Sequence, residues 1–392
     1  MKSSLLALAG SVLRKLRTVL AVLAWFVVVC TSAQDVSLPL SENDSVSTDT
    51  ASVRPVKEFM KRTGKKMKAT IRELDSTDSA YIEPDHYDWT VMAQNSQFYQ
   101  IITMSAKTGS GQYQTLSFAP KSSFKIGPYI GWRWIFLGYT VDVSRPAKAG
   151  KATQFNFSVY SSKLGGDFVY LRNKNNFNLR HTKGFEGIGK ADYKGESFSG
   201  LSVYTISANV YYVFNHRRFS YPAAYNQSTV QKRSAGSFIL GFRYDRQRMS
   251  FDYNKLPEKI VGTDSASALL SDELKFTQLS YQDFCISAGY AYNWVFARNC
   301  LLAISGTPAL GYRKEKGERK KYDQPIENAL RYVAFDFIGR AGFVWNTKKC
   351  FAGASLVTHV YGYHSRHLNI ANAVYYLNIY SGFYFGKKKR YR

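Results

Sequence analysis

The chain has 392 residues, a net charge of +25 from 53 Lys+Arg against 28 Asp+Glu, 45% hydrophobic residues and 16% aromatic ones. That hydrophobic content excludes an intrinsically disordered chain, and 4 cysteines exclude a disulfide scaffold. No apolar run reaches the roughly 18 residues of a membrane-spanning helix, which leaves an aromatic-rich β protein, either two soluble domains or one large barrel.

Residues 1–17 carry Lys2, Arg14, Lys15 and Arg17; an apolar run then extends from Thr18 to Cys30 and ends in small and polar residues, Thr31 to Gln34. A basic region, a short apolar core and a small-residue exit predict a secretory signal peptide over 1–33, cut near Gln34. The alternative is an uncleaved anchor or a short core helix. Cleavage would leave Cys285, Cys300 and Cys350, an odd number. Residues 34–53, rich in Ser, Asp and Thr, read as a disordered leader. Over 54–85 the pattern predicts a short basic amphipathic helix and a linker. Val56, Phe59, Met60, Met67, Ile71 and Leu74 share one helical face, and Lys and Arg cover the rest. Such a helix suits an anionic membrane surface or packs, solvated, on the main domain; Gly64 in its middle weakens it.

From residue 86 to 386 the period becomes two. Phe284, Ile286, Ala288, Tyr290, Tyr292 and Trp294 alternate with Asp283, Cys285, Ser287, Gly289, Ala291 and Asn293. Strand side chains point alternately to opposite faces, so one face is apolar and the other small or polar. Tyr204 to Phe214, Phe238 to Tyr244, Val333 to Trp345 and Tyr375 to Phe385 repeat the split. Either a soluble sandwich or barrel, or a transmembrane barrel with its apolar face on lipid, buries such strands. Segment length, aromatic ends and a wet second face favour the membrane.

Turn spacing then suggests a topology. Short turns are expected at Asp245–Arg248, Phe296–Asn299 and Asn346–Lys349, and long connections at Asn215–Arg233, Asn254–Lys275, Lys314–Asn328 and His364–Ala371. They alternate, as short periplasmic turns and long outer loops would, and make the C-terminal half eight strands. In the N-terminal half, Trp89–Met104, Gln112–Trp132, Trp134–Val143 and Gln154–Ser162 read as strands. Pro120 and Pro128 break the second, and residues 163–197 hold another pair or none. The expected fold is thus an all-β, antiparallel up-and-down transmembrane β-barrel of twelve strands, fourteen being the alternative, with residues 387–392 as a basic tail.

The segments Gly127–Val143 (GPYIGWRWIFLGYTVDV), Tyr212–Ser228 (YVFNHRRFSYPAAYNQS) and Ser287–Asn299 (SAGYAYNWVFARN) resemble the domain of unknown function 4421, a family of secreted Bacteroidetes proteins. The resemblance covers roughly residues 80–386. It implies an outer-membrane-type β-barrel in a Gram-negative cell, and carries over no activity, cofactor or catalytic residue.

Few residues point to chemistry. His216, Ser220 and Asn226 share one expected outer loop, but their spacing makes no triad. His359, His364 and His367 lack the tight spacing of metal ligands. Cys300 and Cys350 lie at strand starts taken as neighbouring, so they could approach each other, although free thiols are the better reading. Arg243, Asp245, Asp336 and Arg340 project from the inward face, where they either line a pore or pair across the lumen and plug it; a twelve-stranded barrel is near the size where either holds. Lys314, Lys316, Arg319, Lys320 and Lys321 form an outer-loop cluster for anionic lipid headgroups. The expected role is a non-enzymatic outer-membrane barrel, structural or passing small solutes or lipids, with no cofactor or metal. Outer-membrane lipids, lipopolysaccharide and the barrel-assembly machinery are its expected partners, and nucleic acid is not. A membrane-embedded lipid hydrolase or acyltransferase and a soluble periplasmic lipid-binding β-barrel are the alternatives.

Overall fold

The computed structural model describes residues 77–392 apart from 109–110, 121–122, 133–134, 139–140, 144–152, 175, 186, 189–196, 262–269, 316–331, 366–367 and 389–392. The chain divides into two units, residues 1–64 and 65–392. The expected signal peptide, leader and basic helix lie outside the described residues.

The described part is almost wholly antiparallel β. It begins with β1 (Ile82–Pro84), β2 (Tyr87–Lys107), β3 (Tyr113–Pro120), β4 (Ser123–Trp132), β5 (Ile135–Gly138), β6 (Val141–Asp142) and β7 (Thr153–Tyr160). Next come β8 (Leu164–Lys174), β9 (Phe177–Lys183), β10 (Ser197–Phe198), β11 (Leu201–Val213), helix α1 (Tyr221–Tyr225), β12 (Thr229–Gln231) and β13 (Ala235–Phe251). The last are helix α2 (Glu258–Val261), β14 (Gln278–Ala297), β15 (Cys300–Glu315), β16 (Val333–Asn346), β17 (Cys350–His364) and β18 (Leu368–Lys387).

One 16-stranded sheet holds all the strands but β1 and β12, which pair with each other. Its ladder runs from β7 through β8, β11 and β13 to β18 in order, then to β2 and on to β3 and β4. Taking β3 with β4 and β5 with β6 as single crossings, the described residues make twelve crossings: those two, β2, β7, β8, β11 and β13 to β18. The sheet curls until its two sides meet. Lys125 of β4 donates to Gln154 of β7 at 2.9 Å, and Asn173 of β8 donates to Gln100 of β2 at 3.3 Å. Higher up, β9 leaves the end of β8 and pairs with β3, covering that part of the seam. Among the described residues no ladder joins β7 to β5 or β6.

Alternation sets the two faces. Along β14 the buried residues are Asp283, Cys285, Ser287, Ala291 and Asn293, and the exposed ones Phe284, Ile286, Tyr290, Tyr292 and Trp294. Phe238, Ile286, Ile304, Leu310 and Phe335 are each more than 60% exposed (68%, 64%, 63%, 61% and 61%). An apolar surface this continuous is foreign to a soluble monomer. On β14 it extends from Phe284 to Phe296, about 40 Å along the strand and some 30 Å in height at the usual tilt.

We call the end of the barrel where β2 starts and β18 finishes the lower end. Three expected connections change. β13 continues unbroken through Asp245–Arg248, because those four polar residues keep the alternation: Asp245 and Gln247 enter a polar interior and Arg246 and Arg248 leave it. From Leu201 onward there are therefore seven strands in the large sheet, not eight, since β12 pairs outside it with β1. Losing that turn shifts the parity of what precedes it, so the connection Asn215–Arg233 lies at the lower end, with the turns at Arg298–Asn299 and Thr347–Lys349, and not beside the connection Asn254–Lys275. Third, His364–Ala371 is no long loop, since β17 ends at His364 and β18 starts at Leu368. Residues 163–197 do hold two further strands, β8 and β9, which pair with other strands and not with each other, and the break at Pro120 separates β3 from β4, whereas Pro128 lies within β4. Asn299 and Lys348 take positive φ, 66° and 69°, in the tight lower turns, a conformation Asn tolerates well.

Strands crowd closely at Gly289. A Cβ there would lie 2.0 Å from the Gly306 carbonyl oxygen and 2.8 Å from the Thr307 Cα, both backbone atoms that cannot swing aside. Gly289→Val is therefore expected to lower the yield of compact, heat-modifiable barrel on refolding in detergent, whereas Ala288→Val, on the outward face, leaves it near wild type.

Candidate functional site

Among the described residues, alternation brings buried polar chemistry together in the interior, and the interior is filled in three layers. The upper layer is apolar. Ile102 and Met104 of β2, Phe118 of β3 and Phe251 of β13 pack with Leu256, Ile260 and Leu274 from the connection between β13 and β14.

The middle layer is charged. Arg313 of β15 makes a bidentate pair with Asp283 of β14, Nε to Oδ1 at 2.7 Å and Nη2 to Oδ2 at 2.6 Å, and also donates to the Gly362 carbonyl at 2.6 Å. Its guanidinium lies between the rings of Tyr281 and Tyr363, 4.3 and 5.2 Å from their centroids. Arg243 of β13 bridges Asp245 at 2.7 Å and Asp336 of β16 at 2.5 Å, under Tyr361. Arg340 of β16 reaches Asp167 of β8 across the interior and faces Tyr211 and Tyr221. Arg313 thus has a forked carboxylate pair and rings over its face, and Arg243 and Arg340 each have a carboxylate at ion-pair distance and a ring beside the guanidinium, the contacts a buried guanidinium needs. Beside them runs a relay of amides: Asn173 to Gln100, Gln100 to Asn372 at 2.9 Å, and Asn372 to Gln247 at 3.1 Å. It ties β8, β2, β18 and β13 together.

The lower layer is a plug. The connection between β11 and β13 folds inward as α1, capped by Ser220, whose Oγ accepts from the Ala223 N–H at 3.3 Å and contacts Thr229 Oγ1 at 2.7 Å. Tyr221 packs on Tyr211 and Phe219, and Tyr225 on Tyr160. The wall grips this segment by hydrogen bonds. Gln227 donates to the Tyr380 hydroxyl at 2.8 Å, the Tyr384 hydroxyl donates to the Gln227 carbonyl at 2.8 Å, and Asn293 donates to the Ser220 carbonyl at 2.8 Å. Outside the plug, β1 pairs with β12, and Tyr81 lies between Arg218 and Arg233, 5.0 and 5.9 Å from their guanidinium carbons.

The four inward charges expected from the sequence, Arg243, Asp245, Asp336 and Arg340, are all in the middle layer. Sequence reasoning passed over Asp167, Asp283 and Arg313 there, although strand parity places Asp283 beside Cys285 and Arg313 two residues after Gly311. It also missed Tyr221 and Gln227, for which strand parity offers no signal. Of the outer-loop cluster, Lys314 lies on the outward face of β15, and Lys316, Arg319, Lys320 and Lys321 lie outside the described residues. His216 lies at the start of the plug segment, Ser220 is committed to its cap, and Asn226 accepts from the Ser228 N–H at 3.1 Å. The three make no triad in the structure. Burial, then Lys163, hold the His216 imidazole below its ordinary pKa. His359 is buried against Tyr361 and Tyr376, His364 contacts Asn369, and His367 lies outside the described residues. Cys300 and Cys350 begin strands that are not neighbours, since β16 lies between them, and all three described cysteines are free.

A family model for a domain of unknown function (DUF4421) matches residues 76–385. The chain belongs to that family. A search of curated proteins finds no match. Among solved structures, the chain is similar to the outer membrane protease OmpT from Escherichia coli at 6% identity, covering 76% of this chain and 97% of that one with a TM-score of 0.29. It is similar to OmpT of Vibrio cholerae at 8% identity, covering 75% and 98%, with a TM-score of 0.24. A third is the toluene transporter TodX of P. putida, at 8% identity over 76% and 91%, with a TM-score of 0.17. The functional reading rests on this chain's own geometry.

Two outcomes are expected here. Arg313→Ala strands the Asp283 carboxylate in the interior and should destabilise the barrel by about 3–5 kcal/mol; adding Asp283→Asn should recover part of that, both read as urea midpoints of the heat-modifiable band. At the lower rim, burial raises the Asp85 carboxyl from 3.8 to about 6, opposed by the Tyr87 N–H and Lys388. A raised acid stabilises the fold in its neutral form, so that contribution is full below pH 3.8 and lost as pH rises through about 6. Amides of β1 and β12 should therefore be better protected from hydrogen exchange at pH 5 than at pH 7.5, after correction for intrinsic rates, and Asp85→Asn should reduce the difference.

Proposed function

We propose that this chain is a sealed outer-membrane β-barrel with a structural, non-enzymatic role, and not an open pore. The observation that carries the reading is the inversion of polarity. Large apolar side chains cover the outside, while paired charges, amides and tyrosines occupy the inside. A soluble barrel buries its apolar face, and only lipid makes the reverse favourable. The expected secretory signal agrees with export to such a membrane.

The interior supports sealed over open. Charges lining a water-filled pore are solvated, whereas Arg243, Arg313, Asp245 and Asp283 have side chains with no exposed surface and neutralise one another. Above them lies an apolar core and below them a hydrogen-bonded plug. Solute passage would require breaking all three layers. The long connections between β13 and β14 and between β15 and β16 share the upper end, which we assign to the cell exterior, and the chain enters and leaves at the periplasmic side.

Expression of the full chain in a Gram-negative host, isolation of outer membranes and comparison of boiled with unboiled samples on an SDS gel tests the reading. Recovery in that fraction with a shift on boiling is expected, together with no stable conductance steps in planar bilayers. Recovery in the soluble periplasm without a shift would overturn the membrane barrel, and steady conductance would overturn the seal.

A further inference from the structure

The outward face of the upper rim carries a second arrangement of charge. It lies on β8, β11, β13, β14 and β15, where registers place residues in cross-strand rows. One row runs Arg172, Tyr204, Arg248, Ser280, and the row below it Tyr170, Ile206, Arg246, Gln282, Lys314. Lys174 stands one row higher, opposite Ser202. Beneath these rows the apolar band begins with Phe168, Ala208, Tyr244, Phe284 and Tyr312.

Five cations therefore face outward just where the apolar band ends. Arg172, Lys174, Arg248 and Lys314 are exposed and Arg246 is half-buried. The sign is segregated by face. Every acidic residue of these five strands, namely Asp167, Asp245, Asp283 and Glu315, has inward parity. Among the described residues no carboxylate pairs with any of the five cations. Adjacent strands are about 4.8 Å apart, so Arg172 and Arg248 lie about 10 Å apart across Tyr204, and Arg246 and Lys314 the same across Gln282. The patch thus offers several cationic centres to one large headgroup, with hydroxyl and amide groups between them and rings below for its chains.

We infer that this face binds the phosphorylated headgroup of an outer-leaflet glycolipid, a diphosphorylated sugar lipid whose acyl chains lie along the aromatic band. The inference rests on the membrane-barrel reading. A lipid occupant is favoured over a free anion because the cations point sideways at the bilayer boundary and the surface below them is apolar. Arginine forks match phosphate oxygens in pairs.

The test uses the full barrel refolded in nonionic detergent and titrated with lipid A, and in parallel with chemically dephosphorylated lipid A, with bound lipid counted by native mass spectrometry. Lipid A should bind at least about tenfold more tightly than its dephosphorylated form, the ratio one charge-assisted contact of about 1.4 kcal/mol confers. The triple variant Arg172→Gln, Arg246→Gln, Arg248→Gln should lose that preference. The lower-rim variant Arg298→Gln, Lys349→Gln should keep it, and excess inorganic phosphate should leave the lipid in place. Should the triple variant not fold, Lys174→Gln with Lys314→Gln is expected to weaken the preference measurably. Equal affinity for the two lipids, equal losses in upper- and lower-rim variants, or displacement by inorganic phosphate would overturn the inference. A wild-type chain that gives no shift on boiling fails the barrel reading itself, so the two failures are distinguishable.

Discussion

Three arginines inside a protein wall need a reason to be there, and the structure gives each the same one: a carboxylate at ion-pair distance and a tyrosine ring against the guanidinium. Arg313 with Asp283 is the most complete, bidentate and held between Tyr281 and Tyr363. A charge buried without such partners costs several kcal/mol, so the pairing is a condition for closing the barrel at all. Once it is met, strands far apart in the sheet become fixed to one another: β13 to β16 through Arg243 and Asp336, and β8 to β16 through Arg340 and Asp167. The curvature of the sheet, the apolar layer above and the plug below are all arranged around these contacts.

The plug follows from the same constraint. Tyr221, on α1, supplies a ring for Arg340, so the segment between β11 and β13 completes the charged layer as well as filling the lower mouth. Its backbone carbonyls are taken by Asn293, Tyr380 and Tyr384, which accounts for polar and hydroxyl-bearing side chains at inward positions low in the wall. Outside, the segment is tied to β1, so the N-terminal approach to the barrel and its seal are parts of one hydrogen-bonded unit.

The outer surface has the opposite composition. Aromatic and aliphatic side chains cover it, and among the described residues its cations lie at the rims. With acids kept to the inner face of β8 and β13 to β15, Arg172, Lys174, Arg246, Arg248 and Lys314 are displayed outward along these strands, where anionic headgroups would meet them.

The spacing of turns pointed to the antiparallel class, and three sequence segments carried the family resemblance. Alternation determined which face of each strand is apolar, because a strand's side chains obey a period of two wherever it lies. Arg243, Asp245, Asp336 and Arg340 were legible as inward for that reason. The direction of each connection was not. Asp245–Arg248 has the composition of a turn, and only the charged layer inside, which gives Asp245 a partner in Arg243, lets the strand continue there. That single strand decides whether Asn215–Arg233 is an outer loop or an inner plug. Which charges pair, and whether the interior is open or filled, depended on the curvature that brings β8 opposite β2 and β16; such contacts join residues 73 and 173 positions apart and leave no local pattern to read.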